Sequence, residues 1–320
     1  MRYGLPYKGS KNSIACWIVR ELPSAEIFVD LFCGGGAVTH AAMLSGKWNK
    51  FIMNDIDGRL PVLFTECAHG LHTVETHPEW ITRQEFNQMK DIDAYIALVW
   101  SFGNNGKDYL YGTDIEYMKH AYHEAVYNGR IELLKPWGYQ LTLSKQKTVY
   151  ERYLEYQRQI KMQTKNIQLE IVTRQTEIER LQSLQSLQSL QSLQSLQSLQ
   201  SLQSHFGGVT IPKGALIYCD IPYNDTNCGK YAGFNHEEFY QWAERQENIY
   251  ISEYSMPDGF YEVANIEKTV LSAATGNNNK AVEKIFTNER TYKKLSDTAK
   301  NIIKFNTAQQ LSIFDMIGGT

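Results

Sequence analysis

Short apolar runs alternate with helix-like stretches along the first 58 residues of the chain, and the same rhythm returns near the C-terminus. A strand-helix-strand alternation of this kind is expected of a largely parallel sheet in an α/β domain. The middle of the chain loses the pattern and is rich in aromatic and polar residues, as in a loop-rich insertion. The expected strands are 27–32, 51–54, 215–219 and 249–253, and the expected N-terminal helices are 14–22 and 37–45.

Residues 150–204 contain neither glycine nor proline and consist mainly of good helix formers, which predicts a long helix. We therefore expect three parts. Segments 1–58 and 209–320 form the sheet domain, 59–149 form an inserted module, and 150–208 form a long helical arm.

The arm contains eight uninterrupted copies of Leu-Gln-Ser over residues 181–204. Three residues turn an α-helix by about 300°, so successive leucines precess around the helix and give no fixed coiled-coil seam. Two interpretations stay open. The tract is either a low-complexity spacer without chemistry or an arm whose repeat number sets its reach along DNA.

Composition narrows the protein class. The net charge of −3 argues against general coating of nucleic acid, although residues 130–180 carry more Lys and Arg than Glu. The five cysteines are odd in number and lack C-x-x-C spacing, which indicates reduced, buried thiols. The absence of a signal sequence and of a long apolar run predicts a cytoplasmic location.

A glycine turn follows the first strand, in the run Asp30-Leu-Phe-Cys-Gly-Gly-Gly36. Glycine lets a backbone approach a ligand closely, and Gly34 and Gly36 would form that turn. About 20 residues further on, Asp55 ends the next strand, where a Rossmann-like fold places a carboxylate on ribose hydroxyls. Thr39 stands where a dinucleotide-binding fingerprint has its third glycine, so an NAD site is disfavoured.

A second motif, Asp220-Ile-Pro-Tyr223, ends a later apolar strand. The Asp220 carboxylate and the Ile221 carbonyl can accept the two hydrogens of an exocyclic amino group. Pro222 would fix the turn, and Tyr223 can stack on a base. With the upstream turn and acid, this motif indicates a nucleoside cofactor beside a planar amino substrate.

These motifs resemble those of S-adenosylmethionine-dependent DNA adenine N6-methyltransferases of the Dam-like class, in particular phage and prophage versions. The resemblance covers nearly the whole chain except the repeat. Leu31 and Ile221 depart from the family pattern, because each replaces a proline. The positions that match the family's cofactor-binding residues are Tyr7, Lys11, Asp30, Phe32, Gly34, Gly36, Asp55 and Asp220.

The resemblance implies a Rossmann-like class I methyltransferase sheet, parallel except for one antiparallel edge strand, with an inserted target-recognition module. It implies S-adenosylmethionine as cofactor, no metal, and methyl transfer to the N6 amino group of an adenine flipped out of double-stranded DNA at a specific short sequence. Catalysis would fall to Asp220, Ile221, Pro222 and Tyr223. The DNA-contacting stretch of the family resembles 101–112 here, which makes Asn104, Asn105, Lys107 and Tyr109 candidate DNA contacts.

Other possibilities stay open at this point. The enzyme could act on RNA adenine, or the chain could be a catalytically dead DNA-binding or scaffold protein on the same fold. Near the C-terminus, the positions Gln310, Leu311 and Phe314 resemble the peptide with which bacterial proteins bind the replication sliding clamp, although the same residues could dock on the domain itself. His236, like His120 and His123, is expected to be a surface or packing residue.

Overall fold

The structure, a computed structural model, describes residues 3–73, 75–163, 198–223, 233–271 and 278–295. The chain forms two compact units. We call Met1–Ser13, Gly34–His40 and Arg59–Leu196 the helical unit, and Ile14–Cys33, Ala41–Gly58 and Gln197–Thr320 the sheet unit.

The sheet unit contains one seven-stranded sheet among the described residues, in the order β3-β2-β1-β4-β5-β7-β6. Strands β1 to β5 are parallel, and β7 runs antiparallel to both β5 and β6. The antiparallel strand is therefore internal, which corrects the expectation of an antiparallel edge strand. The strands are β1 Ile27–Asp30, β2 Lys50–Asp55, β3 Leu199–Gln203, β4 Leu216–Asp220, β5 Ile249–Glu253, β6 Phe260–Leu271 and β7 Asn278–Asn288.

Apolar side chains cover both faces of the parallel strands, as expected for a doubly wound sheet. On one face Val29, Ile217 and Ile251 join a buried core cluster with aromatic residues of the flanking segments. On the other face the ring of Phe28 stacks on Tyr218, with 6.4 Å between the ring centroids. The four strands expected from the sequence are confirmed. Short runs that are apolar on both faces suit strands buried inside a parallel sheet.

The end of the Leu-Gln-Ser tract forms the edge strand β3, which pairs in parallel with β2 from Phe51↔Leu199 to Asp55↔Gln203. The helical arm expected over 150–208 is therefore wrong at its C-terminal end. Leu202 packs against the core cluster, while Gln200, two residues earlier on the same strand, is exposed. In a helix the same repeat would offer no continuous apolar face.

The helical unit holds the middle of the chain. Its last described helix, α7 (Val149–Gln163), is the start of the expected arm, and it packs on α6 (Glu116–Asn128) with Tyr153, Tyr156 and Ile160 buried. Arg152 Nε also donates to the Val126 carbonyl at the end of α6. The α-helices among the described residues of this unit are α3 Arg59–Ala68, α4 Arg83–Met89, α5 Ala94–Val99, α6 Glu116–Asn128 and α7 Val149–Gln163.

The remaining helices lie along the chain as α1 Ala15–Glu21, α2 Ala37–Ser45, α8 His236–Glu244 and α9 Glu289–Lys294. The first two confirm the helices expected at 14–22 and 37–45. Within the described ranges, no helix combines the length and the apolar character that a membrane span requires.

The packing of Leu202 gives a test of the strand formed by the repeat. We expect Leu202→Ala to lower the free energy of unfolding by about 1–2 kcal/mol, because a partly buried leucine loses its contacts with the core. Gln200→Ala, at an exposed position of the same strand, is the control and should change stability by less than about 0.5 kcal/mol. Urea unfolding measures both, and equal effects at the two positions would contradict the packing of Leu202 on the core.

Candidate active site

Acidic residues end four adjacent parallel strands of the sheet unit. Asp55, Asp30, Asp220 and Glu253 are the last residues of β2, β1, β4 and β5. The strand order reverses between β1 and β4, and open α/β sheets bind ligands outside the carboxyl ends of their strands at such a point. All of these acids except Asp220, which is partly exposed, are buried. This acidic edge is the candidate ligand site of the sheet unit.

The loop after β4 is fixed by contacts on either side of its proline. Ile221 is 2% exposed and belongs to the core cluster, so the residue that replaces the first proline of the family pattern anchors the loop in the core. The Pro222 carbonyl lies 2.7 Å from Nε2 of His236 at the start of α8, a hydrogen bond in which the imidazole N–H donates. The loop therefore keeps a defined path even with isoleucine at 221.

Tyr223 is held at both its ring and its hydroxyl. The ring lies 4.5 Å from the Tyr254 ring, centroid to centroid, with the planes tilted by 60°. The hydroxyl donates a hydrogen bond to the Glu283 carboxylate on β7. Burial, the charges of Asp220 and Glu283, and this hydrogen bond raise the pKa of Tyr223 far above its usual value, so the hydroxyl stays protonated.

The neighbouring titratable groups are also kept neutral. Tyr218 shares a 2.7 Å hydrogen bond with the Ser252 hydroxyl, and burial raises the pKa of Tyr218. Burial and the nearby aspartates likewise raise the pKa values of the Cys33 and Cys219 thiols. These thiols are therefore poor nucleophiles. The expected burial of the cysteines does not extend to Cys16, which is exposed.

In the helical unit, the N-terminal segment packs against the glycine turn. A Cβ added to Gly34 would lie 3.2 Å from Cε1 of Tyr7, and the Gly34 φ of +48° also favours glycine. The Leu5 N–H donates to the Gly35 carbonyl at 2.6 Å. Two of the predicted cofactor segments, around Tyr7 and around Gly34 and Gly36, therefore meet.

The N-terminal segment approaches the glycine turn even more closely at Gly4, where an added Cβ would lie 2.5 Å from the Gly35 carbonyl oxygen. The Gly4 N–H donates to Nδ1 of His40, which is fully buried. Burial lowers the pKa of His40 to about 4, so this imidazole is the neutral acceptor that the hydrogen bond needs. Lys11, the other predicted cofactor residue of the segment, is also buried, at 9% exposure.

The predicted residues around β1 and β2 make contacts within the sheet unit. The Leu31 N–H donates to the Tyr218 carbonyl at 3.0 Å, a bond that a proline at 31 could not make. Phe32 packs its ring on Phe206, 5.9 Å away, and on other aromatic rings of the core. Asp55 is 3% exposed, and its carboxylate accepts from the Asp57 N–H at 2.9 Å.

The predicted DNA contacts lie on one tight turn of the helical unit, but three of the four side chains are engaged there. The Asn104 amide donates to the Leu98 carbonyl, and the Asn105 side chain accepts from the Lys107 N–H and donates to Asp108. Tyr109 is 7% exposed, so its burial removes it from the candidate DNA contacts. Lys107 remains exposed.

Comparison with protein-family models decides the family. The model of D12 class N6 adenine-specific DNA methyltransferases matches residues 7–300. The chain belongs to this family. No match is found among curated proteins.

This adenine methyltransferase is therefore an enzyme that uses S-adenosylmethionine to methylate the N6 position of adenine in DNA. The Rossmann-like methyltransferase fold expected from the sequence is confirmed by the mixed α/β architecture and by the family. The individual site residues stay predictions. Gln310, Leu311 and Phe314, the predicted clamp-binding positions, lie outside the described residues.

Sequence reasoning missed three residues that contact the Asp220–Tyr223 loop, namely His236, Tyr254 and Glu283. His236 was expected to be a surface or packing residue, yet it fixes the Pro222 carbonyl. His236 stands in 233–242 and Tyr254 in 250–254, two stretches that resemble later motifs of the family, and that resemblance is the signal that the sequence offers. Glu283 lies in a strand of mixed charged and apolar residues that carries no motif.

The close approach at Gly4 gives a test of the cofactor segment. We expect Gly4→Ala to weaken S-adenosylmethionine binding at least about tenfold, because the new methyl group would displace the Gly35 backbone. Gly46→Ala is the control, because Gly46 has nearly the same φ, +70°, but nothing within 4 Å of an added Cβ. Titration calorimetry measures both, and unchanged binding in Gly4→Ala would contradict this role of the segment.

Proposed function

We propose that the enzyme methylates an adenine that has rotated out of double-stranded DNA at a specific short sequence, and that the Asp220–Tyr223 loop grips this base. The single observation that carries the proposal is the position of the loop. It leaves the sheet at the carboxyl end of β4, next to the switch point, with its tyrosine fixed by Glu283 and Tyr254.

The base must leave the duplex because its amino group is paired and stacked there. Unstacking costs a few kcal/mol, which a stacking surface in the protein can offset. Tyr223 provides an aromatic face that is partly exposed and already fixed in position. Little conformational entropy is lost when a base stacks on a ring that is held in this way.

The transfer itself requires help at N6, because the nitrogen lone pair is delocalised into the purine ring. The Asp220 carboxylate and the Ile221 carbonyl accept the two N6 hydrogens in the proposed complex. These hydrogen bonds favour a pyramidal nitrogen and stabilise the positive charge that develops as N6 bonds to the methyl carbon. The negative edge formed by Asp30, Asp220 and Glu253 supports the same charge.

The residues fit S-adenosylmethionine, which supplies an electrophilic methyl group when bound. In the helical unit, the turn at Gly34 leaves its backbone accessible beside Tyr7, where any side chain would intrude. In the sheet unit, the Asp55 carboxylate at the end of β2 has the position that binds ribose hydroxyls in related sheets. Tyr7, Lys11, Gly34, Gly36, Asp30 and Asp55 are the residues that we assign to the cofactor.

Removing the Asp220 carboxylate tests the proposed chemistry. We expect Asp220→Ala to lower methylation at least about 100-fold, because a charge-stabilising acceptor is lost from the transition state. S-adenosylmethionine binding should be partly retained. Asp258→Ala, at an exposed position of the same unit, is the control and should keep the wild-type rate.

Transfer of labelled methyl groups to matched DNA and RNA substrates is the measurement. Wild-type methylation by Asp220→Ala would refute its assigned role. Preference for RNA would refute the DNA substrate, and cofactor binding without transfer by the wild-type protein would favour a catalytically dead scaffold.

For DNA binding we infer that the groove beside the 101–112 turn contacts the duplex. This groove of about 730 Å³ lies within the helical unit and is lined by the cations Arg83, Lys90 and Lys107 and by Phe102. Phe102 is 60% exposed although it is a large apolar side chain. Cations suit phosphates, and exposed apolar side chains can wedge between base steps.

The turn is rigid enough to present these groups. The Gly106 N–H donates to the Ser101 hydroxyl at 3.0 Å, and the Phe102 N–H donates to the Asp108 carbonyl at 2.8 Å. The Lys90 ammonium donates to the Lys107 backbone carbonyl at 2.8 Å, which holds this end of the turn. The Lys107 side chain is exposed, and we assign it as a phosphate contact. Asn104 and Asn105 then contribute mainly by shaping the turn.

The salt dependence of DNA affinity tests this surface. We expect Lys107→Ala to weaken binding and to reduce the slope of log affinity against log salt by about one, as for the loss of one phosphate contact. Phe102→Ala should leave the slope unchanged, because the side chain is uncharged. Lys135→Ala, an exposed lysine elsewhere in the helical unit, is the control. A slope that Lys107→Ala leaves unchanged would contradict the assignment.

A further inference from the structure

Glu283 is a fully buried acid on β7, within the sheet unit and away from the motifs of the family. Its place follows from the strand register. Lys284 pairs with Glu253, the last residue of β5, so Glu283 lies one position beyond the carboxyl end of that strand. The internal, antiparallel β7 therefore brings an acid from the C-terminal part of the chain to the edge where Asp220 ends β4.

The buried carboxylate accepts the hydrogen bond of the Tyr223 hydroxyl. Because the pKa of Tyr223 is raised far above its usual value, the hydroxyl is a donor at every pH at which the enzyme can be assayed. Hydrogen bonds to charged acceptors are stronger than those between neutral groups and fix geometry more tightly. The contact thus restrains the far end of the tyrosine ring.

Other contacts restrain the near end of the same ring. The Tyr254 ring lies 4.5 Å from the Tyr223 ring, centroid to centroid, at a tilt of 60°, and the Pro222 carbonyl just before Tyr223 accepts a hydrogen bond from His236. A tyrosine can rotate about two side-chain bonds, and these restraints act on the ring plane and on the backbone. The Glu283 hydrogen bond acts on the hydroxyl end.

We propose that Glu283 is a positioning residue for methyl transfer, which holds the Tyr223 ring in the orientation that stacks on the flipped adenine. This inference rests on the proposed function of Tyr223. Glu283 does not contact the substrate in this account. It acts through the tyrosine hydroxyl, so its effect should vanish when that hydroxyl is absent.

A purely structural role would give a different pattern. Glu283 also lies close enough to Tyr218 for its charge to raise the pKa of that tyrosine, and a buried acid can matter for folding alone. In that case, replacing Glu283 would lower stability and activity together, whatever residue stands at 223. A double-mutant cycle separates the two roles.

The experiment compares Glu283→Ala, Glu283→Gln, Tyr223→Phe and the double variant Tyr223→Phe with Glu283→Ala, in the full-length enzyme. Steady-state methylation of double-stranded DNA gives kcat and KM, and thermal unfolding reports stability. Glu262→Ala is the matched control. Glu262, on the adjacent strand β6, pairs with Lys284 at 2.9 Å, so Glu262→Ala removes an acid from the same hairpin and leaves the Tyr223–Glu283 hydrogen bond in place.

We expect Glu283→Ala and Tyr223→Phe each to lower kcat at least about tenfold, with KM for DNA within about twofold, because misplaced groups cost rate in the transition state. The double variant should be no slower than either single variant. Glu283→Gln, whose amide oxygen can still accept the bond, should recover most of the rate, and Glu262→Ala should keep it.

Additive losses in the double variant, no rescue by glutamine, or an equal loss in Glu262→Ala would overturn the inference while leaving the proposed function intact. A wild-type enzyme that does not methylate DNA would overturn the proposed function instead. The interaction between Glu283 and Tyr223 would then still be measurable as non-additive changes in unfolding temperature. Additive changes in unfolding temperature would show that the two side chains do not interact.

Discussion

The parallel pairing of β1 with β4 is the constraint on which the rest of the sheet unit depends. In this register Asp30 lies opposite Tyr218, so Asp220 ends β4 two residues further along the same edge. Along the sequence, nearly the whole helical unit lies between these two strands. Parallel strands require a crossover connection in any case, and the entropic cost of closing that connection rises only slowly with its length. The pairing thus sets two acids beside the switch point regardless of what is inserted between them.

The parts of the fold that the sequence predicts are those with strong local signals. The strands that contain Val29, Ile52, Ile217 and Ile251 are apolar on both faces and are short, which leaves few other placements. β3 has no such signal. Its leucines recur every third residue, which suits neither a helix face nor the two-residue alternation of a strand, and only the open edge of β2 selects the strand. Tertiary pairing overrides local propensity there.

The site divides in the same way. Asp220 and Tyr223 are predictable because a four-residue motif carries both, and Asp55 is predictable from its spacing. Glu283 is not, since its relation to Tyr223 exists only after β7 has inserted between β5 and β6. Asn104 shows a second limit. The resemblance of 101–112 to a DNA-contacting stretch makes Asn104 a candidate for reading bases, and only the structure shows that its amide also completes the turn by donating to the Leu98 carbonyl.

Charge places a further constraint on how such an enzyme holds its substrate. The strand ends of the sheet unit are acidic, which suits a positively charged cofactor and a base that becomes positive during transfer, but repels phosphates. With a net charge of −3, the chain has no general excess of cations to overcome this repulsion. We therefore assign the phosphate contacts to local cations such as Lys90 and Lys107, and in this assignment affinity for DNA and stabilisation of the transition state fall to different parts of the chain.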